Sequence, residues 1–247
     1  ADHDGKADDG LRHDTARPPG SGAAMMSADA WTPLWLTLKV ASLATLLAFI
    51  GGVTIAFVIA RHRVPGREWC DAVLTLPMVL PPTVLGYYLI LLVGRNGVAG
   101  RWLAARFDLS LMFTWQGAVI AAAVVSFPLI FKSARAAYEG VEPGLEQAAR
   151  TLGLSEFAIF VRIAFPLAWR GILAGTLLGF ARAMGEFGAT LMVAGNLPGK
   201  TQTLSLAIYD AVQSGNDELA NLLVLVTSAV CVVILVASSH MLRVRHA

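Results

Sequence analysis

Five stretches of this chain are apolar for about twenty residues, at about 34–60, 71–93, 114–132, 171–195 and 220–242. That is the length an α-helix needs to cross the hydrocarbon of a bilayer. Composition agrees: 56% of the 247 residues are hydrophobic, 15% are charged and mean hydropathy is +0.63, where soluble domains are nearer a quarter charged. The pattern predicts an all-α integral membrane protein with five transmembrane helices over residues 31–247, in contact with lipid. A net charge of +2 and the lack of a Lys/Arg-rich run argue against a nucleic-acid partner. Cys70 and Cys231 form no CxxC pair and read as buried, inert thiols.

Residues 1–30 are polar and rich in Asp, Gly and Pro. They cannot bury enough apolar surface to fold alone, so a disordered tail is expected, and the tail has no apolar core of the signal-peptide kind. His3 and His13 within it have no neighbours that set a ligand geometry, so no metal site is expected.

Orientation follows from the basic residues. Arg61, Arg63, Arg67, Lys132, Arg135, Arg150, Arg162, Arg170, Arg243 and Arg245 fall on one side of the five spans, against Arg95, Arg101, Arg106 and Lys200 on the other. The positive-inside rule then places the N-terminus outside and the C-terminus in the cytoplasm. The six tryptophans lie at or near span ends, where amphipathic rings favour the headgroup region, and Lys39 near the start of the first span is long enough to reach the interface.

Two spans carry unusual chemistry. The second reads "LPMVLPPTVLGYY", and Pro77, Pro81 and Pro82 each remove a backbone donor. Such a helix needs protein or a cavity beside it, either as a packing kink or as a transport site; Thr83 just beyond is a candidate donor to an anion. In the fourth, Arg182 and Glu186 stand four residues apart. Ionisable groups at that depth face the bundle, either as a mutual brace or with Arg182 lining an anion route or gate. Gly179, Gly185 and Gly188 nearby are expected to permit close helix contact at a dimer seam.

Between the third and fourth spans, "GVEPGLEQAARTLGLSEFAIFVRIAFP" reads as two short helices. Pro143 suits a helix start and Glu146 its positive end. Gly153 is a left-handed stop, Ser155 an N-cap, and Pro166 the expected end of the second helix. The 140–166 segment thus predicts a cytoplasmic hairpin suited to plugging a groove in a partner.

These residues resemble the EAA signature of ABC-importer permeases. Gln147-Ala148-Ala149, Gly153, Ile163 and Phe165-Pro166 keep every spacing of that signature, with Gln147 in place of Glu and Phe165 in place of Leu. Further on, "RAMGEFGATLMVAGNLPGKTQTLSLAIYDAVQSG" is similar to the molybdate-importer permeases, with Ser205 where proline is expected. Sulfate permeases share the Gly-Glu-Phe/Tyr-Gly element and then diverge. The resemblance implies the type I ABC importer permease fold in a bacterial cytoplasmic membrane, with molybdate as substrate and tungstate as a passenger; a sulfate, thiosulfate or tungstate importer is the alternative. It also implies a homodimer of permease chains, two cytoplasmic ATPase subunits and an extracytoplasmic molybdate-binding protein. ATP and Mg would be used by the ATPase, with no cofactor bound by this chain. Glu146, Gln147, Ala148, Ala149, Arg150, Thr151, Leu152, Gly153 and Leu154 would form the ATPase-docking helix. Pro81, Pro82, Thr83, Arg182 and Glu186 would line the path or gate, and Lys200 and Thr201 would meet the binding protein.

"AGNLPGKT", Ala194 to Thr201, fits a relaxed phosphate-loop pattern. A true phosphate loop follows a buried strand in a soluble nucleotide-binding domain. Here the segment follows a membrane span on the outer side, so an ordinary Pro-Gly turn is expected. An intramembrane enzyme is disfavoured because the spans lack HExxH, paired Asp, or Ser with a nearby His; His240 stands alone. A scaffold that holds an ATPase without moving solute fits the proline-broken span poorly.

Overall fold

The computed structural model describes residues 21–61 and 65–242, with side chains described from 31 to 236. The first twenty residues of the expected tail lie outside the described residues, and α1 begins at Ser21, ahead of the boundary at 30. Among the described residues every regular element is helical: α1 (Ser21–Arg61), α2 (Arg67–Val79), α3 (Pro82–Val93), α4 (Val98–Phe107), α5 (Trp115–Glu139), α6 (Pro143–Thr151), α7 (Glu156–Ile159), α8 (Phe165–Met184), α9 (Gly188–Ala194), α10 (Leu204–Gln213) and α11 (Asp217–Leu242). Four rods are long and apolar enough to cross a membrane, namely Trp31–Arg61, Trp115–Glu139, Glu156–Met184 and Asp217–Val236. The bent pair α2 and α3 is together long and apolar enough for a fifth crossing if it forms one span.

Small residues hold the three central rods together. Val40, Ala41 and Ala44 of α1 meet Ala118, Val119 and Ala122 of α5 and Ala183 of α8 in one cluster. Nearer the hairpin, Ala56 and Phe57 meet Ile130, Phe131 and Ala134 of α5 and Ala168 and Ile172 of α8 in another. On α8, Gly171, Gly175 and Gly179 face Ala137, Ser133 and Ile130 of α5 in turn; a Cβ on Gly171 or Gly179 would lie 2.6 Å from its neighbour. A stripe of glycines four apart lets two helix backbones approach closely where lipid supplies no hydrophobic drive. Gly179 therefore serves packing within the chain, as does Gly188 against Pro82.

The second span is broken outright rather than kinked. Its two helices meet at 114°, with Leu80 and Pro81 both extended between them. Leu80 precedes Pro81 and Pro81 precedes Pro82, and a residue before proline is driven out of helical geometry. The pair still traverses the fold: Leu74 of α2 packs in the cluster at the hairpin end, whereas Leu85, Leu89 and Val93 of α3 pack against Ala121, Val125, Ala189 and Val193 towards the opposite end.

Two boundaries differ from expectation for physical reasons. The fourth span runs from Glu156 to Met184 instead of 171–195, because the chain breaks at Gly185–Phe187 before α9. Pro166 does not end the second hairpin helix. It occupies the first turn of α8, and the five residues before that helix, Phe160–Ala164, form a π-helical turn. The Phe165 amide accordingly bonds back to the Phe160 carbonyl, a wider turn that accommodates a ring with no N–H to offer. Helix α5 extends to Glu139, so Lys132 and Arg135, read as loop residues, belong to it. Lys39 places its ammonium 3.6 Å over the Trp115 ring, a cation–π contact at the end opposite the hairpin.

Candidate functional site: the hairpin and the two helix breaks

The hairpin forms as its residues dictate. Pro143 opens α6. At its other end Gly153 adopts φ +80°, its amide bonds to Arg150 O at 3.0 Å and the Leu154 amide to Ala149 O at 3.1 Å. These two bonds make a complete Schellman stop, which needs glycine at the left-handed position. The Ser155 hydroxyl accepts from the Ala158 amide at 3.3 Å and starts α7. Arg150 then ties the two helices together, donating to both oxygens of Glu156 at 2.6 and 3.0 Å. Hydrogen bonding to that carboxylate raises the Arg150 pKa above its ordinary value.

The docking residues divide between two faces. Gln147, Ala148, Arg150, Thr151, Leu152 and Gly153 are exposed and Leu154 is half-buried, whereas Glu146 and Ala149 turn inward. Glu146 is thus no surface contact; its side chain retains 3% exposure and lies 2.7 Å from the Arg61 guanidinium at the end of α1. Leu145, Leu152 and Phe157 project from the hairpin with 47%, 80% and 76% of their surface exposed. Leu145 and Phe157 were not among the residues singled out from the sequence; their signal was an apolar residue standing beside charged ones in a polar hairpin.

The second feature is the meeting of the two breaks. Gly188, at the start of α9, lies against Pro82 at the start of α3, and a Cβ on Gly188 would sit 2.7 Å from the Pro82 Cβ. Gly86 of α3 packs equally tightly on Met192 of α9. Pro81, Pro82 and Thr83 are exposed beside this junction. The first amides of any helix lack intrahelical acceptors, so α3 begins with unclaimed N–H groups there.

Arg182 and Glu186 flank the same junction. The expected helix-face pair is present at 2.8 Å, but Glu186 lies beyond the end of α8 and caps α9 by accepting from the Ala189 amide at 2.8 Å. Its carboxylate is almost fully buried, while the Arg182 side chain keeps 37% of its surface exposed. Of the two, Arg182 is the one that faces open space, and Glu186 is spent on the brace.

The loop after α9 is a turn and follows a helix, with no strand before it. The Leu197 carbonyl accepts from the amides of Lys200, Thr201 and Gln202. Thr201 is fully buried and its hydroxyl bonds to the Leu197 amide and the Gly195 carbonyl. It fastens the loop and offers no surface to a partner, whereas Lys200 is exposed.

Comparison with known proteins follows this geometry closely. Residues 23–244 match the family model described as the inner membrane component of binding-protein-dependent transport systems. The chain is 43% identical over 215 residues to the molybdenum transport system permease protein ModB of Escherichia coli K12, covering 87% of this chain and 94% of that one. It is 36% identical over 203 residues to the sulfate transport system permease protein CysT of the same organism, covering 82% and 70%. Among solved structures, a bacterial ABC transporter involved in the import of the acidic polysaccharide alginate superposes with a TM-score of 0.72 at 15% identity, over 92% of this chain and 83% of that one.

Proposed function

Because the chain belongs to the family of inner membrane components of binding-protein-dependent transport systems, we propose that it is the permease of an ATP-driven importer whose substrate is molybdate, with tungstate as a second passenger. The observation that carries the substrate is the 43% identity to a molybdenum permease across 87% of the chain, against 36% to a sulfate permease. The fold is that of type I ABC importer permeases, and the protein crosses its membrane several times.

The exposed face of α6, with Leu145, Leu152 and Phe157, enters a cleft of a cytoplasmic ATPase, and the end carrying Lys200 receives the anion from a binding protein. This places the N-terminus outside and the C-terminus in the cytoplasm. Two copies of the chain and two ATPases complete the machine. This chain performs no chemistry; ATP and Mg are used by its partner.

The path runs past the junction of the two breaks, beside Pro81, Pro82, Thr83 and Arg182. A dianionic oxyanion there meets the free amides of α3 and one guanidinium already paired with Glu186. The pair is nearly neutral, so the well it offers an anion is shallow, which suits a pore that must release what it admits. Affinity resides in the binding protein. Transport is then a shift between two packings, driven by the ATPase's unequal affinity for ATP in each.

The test is labelled molybdate uptake into proteoliposomes holding this chain, its ATPase and its binding protein, with tungstate or sulfate as competitor. The expected result is ATP-dependent uptake blocked by tungstate and unaffected by excess sulfate. Uptake abolished by sulfate would transfer the chain to the sulfate carriers.

A further inference from the structure

We propose that Arg61 is the positioning residue through which the hairpin moves the membrane helices. The inference rests on the reading that α6 docks onto an ATPase.

One nitrogen of the Arg61 side chain joins the ends of three helices. Arg61 closes α1, its Nη2 donates to the Tyr138 carbonyl in the last turn of α5 at 2.6 Å, and the same atom lies 2.7 Å from Glu146 Oε1 on α6. Both side chains are out of solvent, with 9% and 3% exposed. Among the described residues, no other ion pair runs from α6 to a membrane-crossing rod through groups so deeply buried; Arg150, which also approaches Glu146 at 3.8 Å, belongs to the hairpin itself. Nη2 carries two hydrogens, so one nitrogen of the planar guanidinium can donate to the carbonyl while facing the carboxylate.

This arrangement resists separation more than it favours contact. Parting the pair would leave two charges in a site that excludes water, a state far costlier than the paired one. A displacement of α6 therefore carries the ends of α1 and α5 with it, and does not slide past them. Around the pair, Phe57 of α1, Tyr138 of α5 and Phe160 of the π turn pack edge to face, with ring centroids 5.4 and 4.7 Å from Phe57. Those rings align the ends of α1 and α5 with the π turn, and the ion pair ties α6 to the same place.

The experiment compares Glu146→Gln, Arg61→Met and the reversed pair Arg61→Glu/Glu146→Arg in the assembled transporter, scoring molybdate taken up per ATP hydrolysed. The single variants are expected to retain the ATPase and its hydrolysis while uptake per ATP falls about tenfold or more, within the range of ordinary coupling energies. The reversed pair restores the charge contact between α1 and α6 but not the bond to the Tyr138 carbonyl, so it is expected to recover only part of the ratio. Unchanged ratios in the single variants overturn the proposal. If the single variants fail to assemble, amide exchange in the purified chain decides, as follows. Uptake by the unaltered complex reports separately on the transport reading. Should that complex take up no oxyanion, amide exchange of α6 in the purified chain still tests the linkage: Glu146→Gln is expected to speed exchange across α6 and at the ends of α1 and α5 together. Acceleration confined to α6 would sink the idea.

Discussion

At the residue scale the informative side chains are those whose partners are remote. Arg182 and Glu186 were visible as a pair because they stand four apart, but the capping bond from the Ala189 amide to Glu186 was not. That bond makes the two partners unequal. Arg182→Ala leaves a buried carboxylate unpaired and is expected to cost about 3–5 kcal/mol, whereas Glu186→Gln keeps an oxygen for the Ala189 amide and should cost clearly less. Unfolding in detergent measures both, and equal losses would refute the asymmetry. Gly153→Val places a β-branched residue at φ +80°, a conformation such residues essentially avoid. The stop should fail and the ATPase should no longer co-purify; undiminished co-purification would show that docking does not need this turn.

At the element scale, the glycine stripe of α8 sets how closely the central rods approach. Gly175→Val drives a branched side chain into Ser133 of α5, and overpacking of this kind is expected to cost about 1–3 kcal/mol or more. The corresponding change at Gly185, whose added Cβ would meet only carbonyls of its own helix near 4 Å, should leave stability nearly unchanged. Melting of the two purified variants side by side checks the contrast. The elements themselves were largely legible: apolar runs gave the crossings, and Pro143, Gly153 and Ser155 gave the hairpin. The break at Gly185–Phe187 was not, because apolar stretches lie on both sides of it and a single glutamate accepting from the Ala189 amide three residues on marks the start of the new helix. Pro166 misled for a related reason. A proline is read as a terminator from its missing donor, yet a single π turn absorbs that loss and the rod continues. Helices α4 and α10 are too short to span, so a reading built on membrane-length apolar runs passed over them. The inward turn of Glu146 also escaped, since its partner lies at the end of a rod far away in sequence.

At the scale of the whole molecule, the chain presents a polar, clamped hairpin at one end and a looped surface at the other. Lys200 is exposed there and Thr201 is not, so the two adjacent residues should behave differently. Lys200→Glu is expected to weaken capture of the binding protein in a salt-dependent manner, through the encounter rate, without changing stability. Thr201→Val should loosen the loop and lower the melting temperature by removing its two hydroxyl bonds. Binding kinetics at two ionic strengths, set beside thermal unfolding, separate these outcomes. The ion pairs of α2 also govern how the molecule is made. Asp71 is held by Arg135 at 2.6 Å, and Arg67 by Glu139, so the charges of the second span find their counterions only on the third. A chain synthesised through α2 but not yet α5 holds Arg67 and Asp71 at the hairpin end without these partners. Asp71 and Arg67 gain these partners only from α5, so the hairpin end of α2 is expected to be fastened after α5 has entered the membrane.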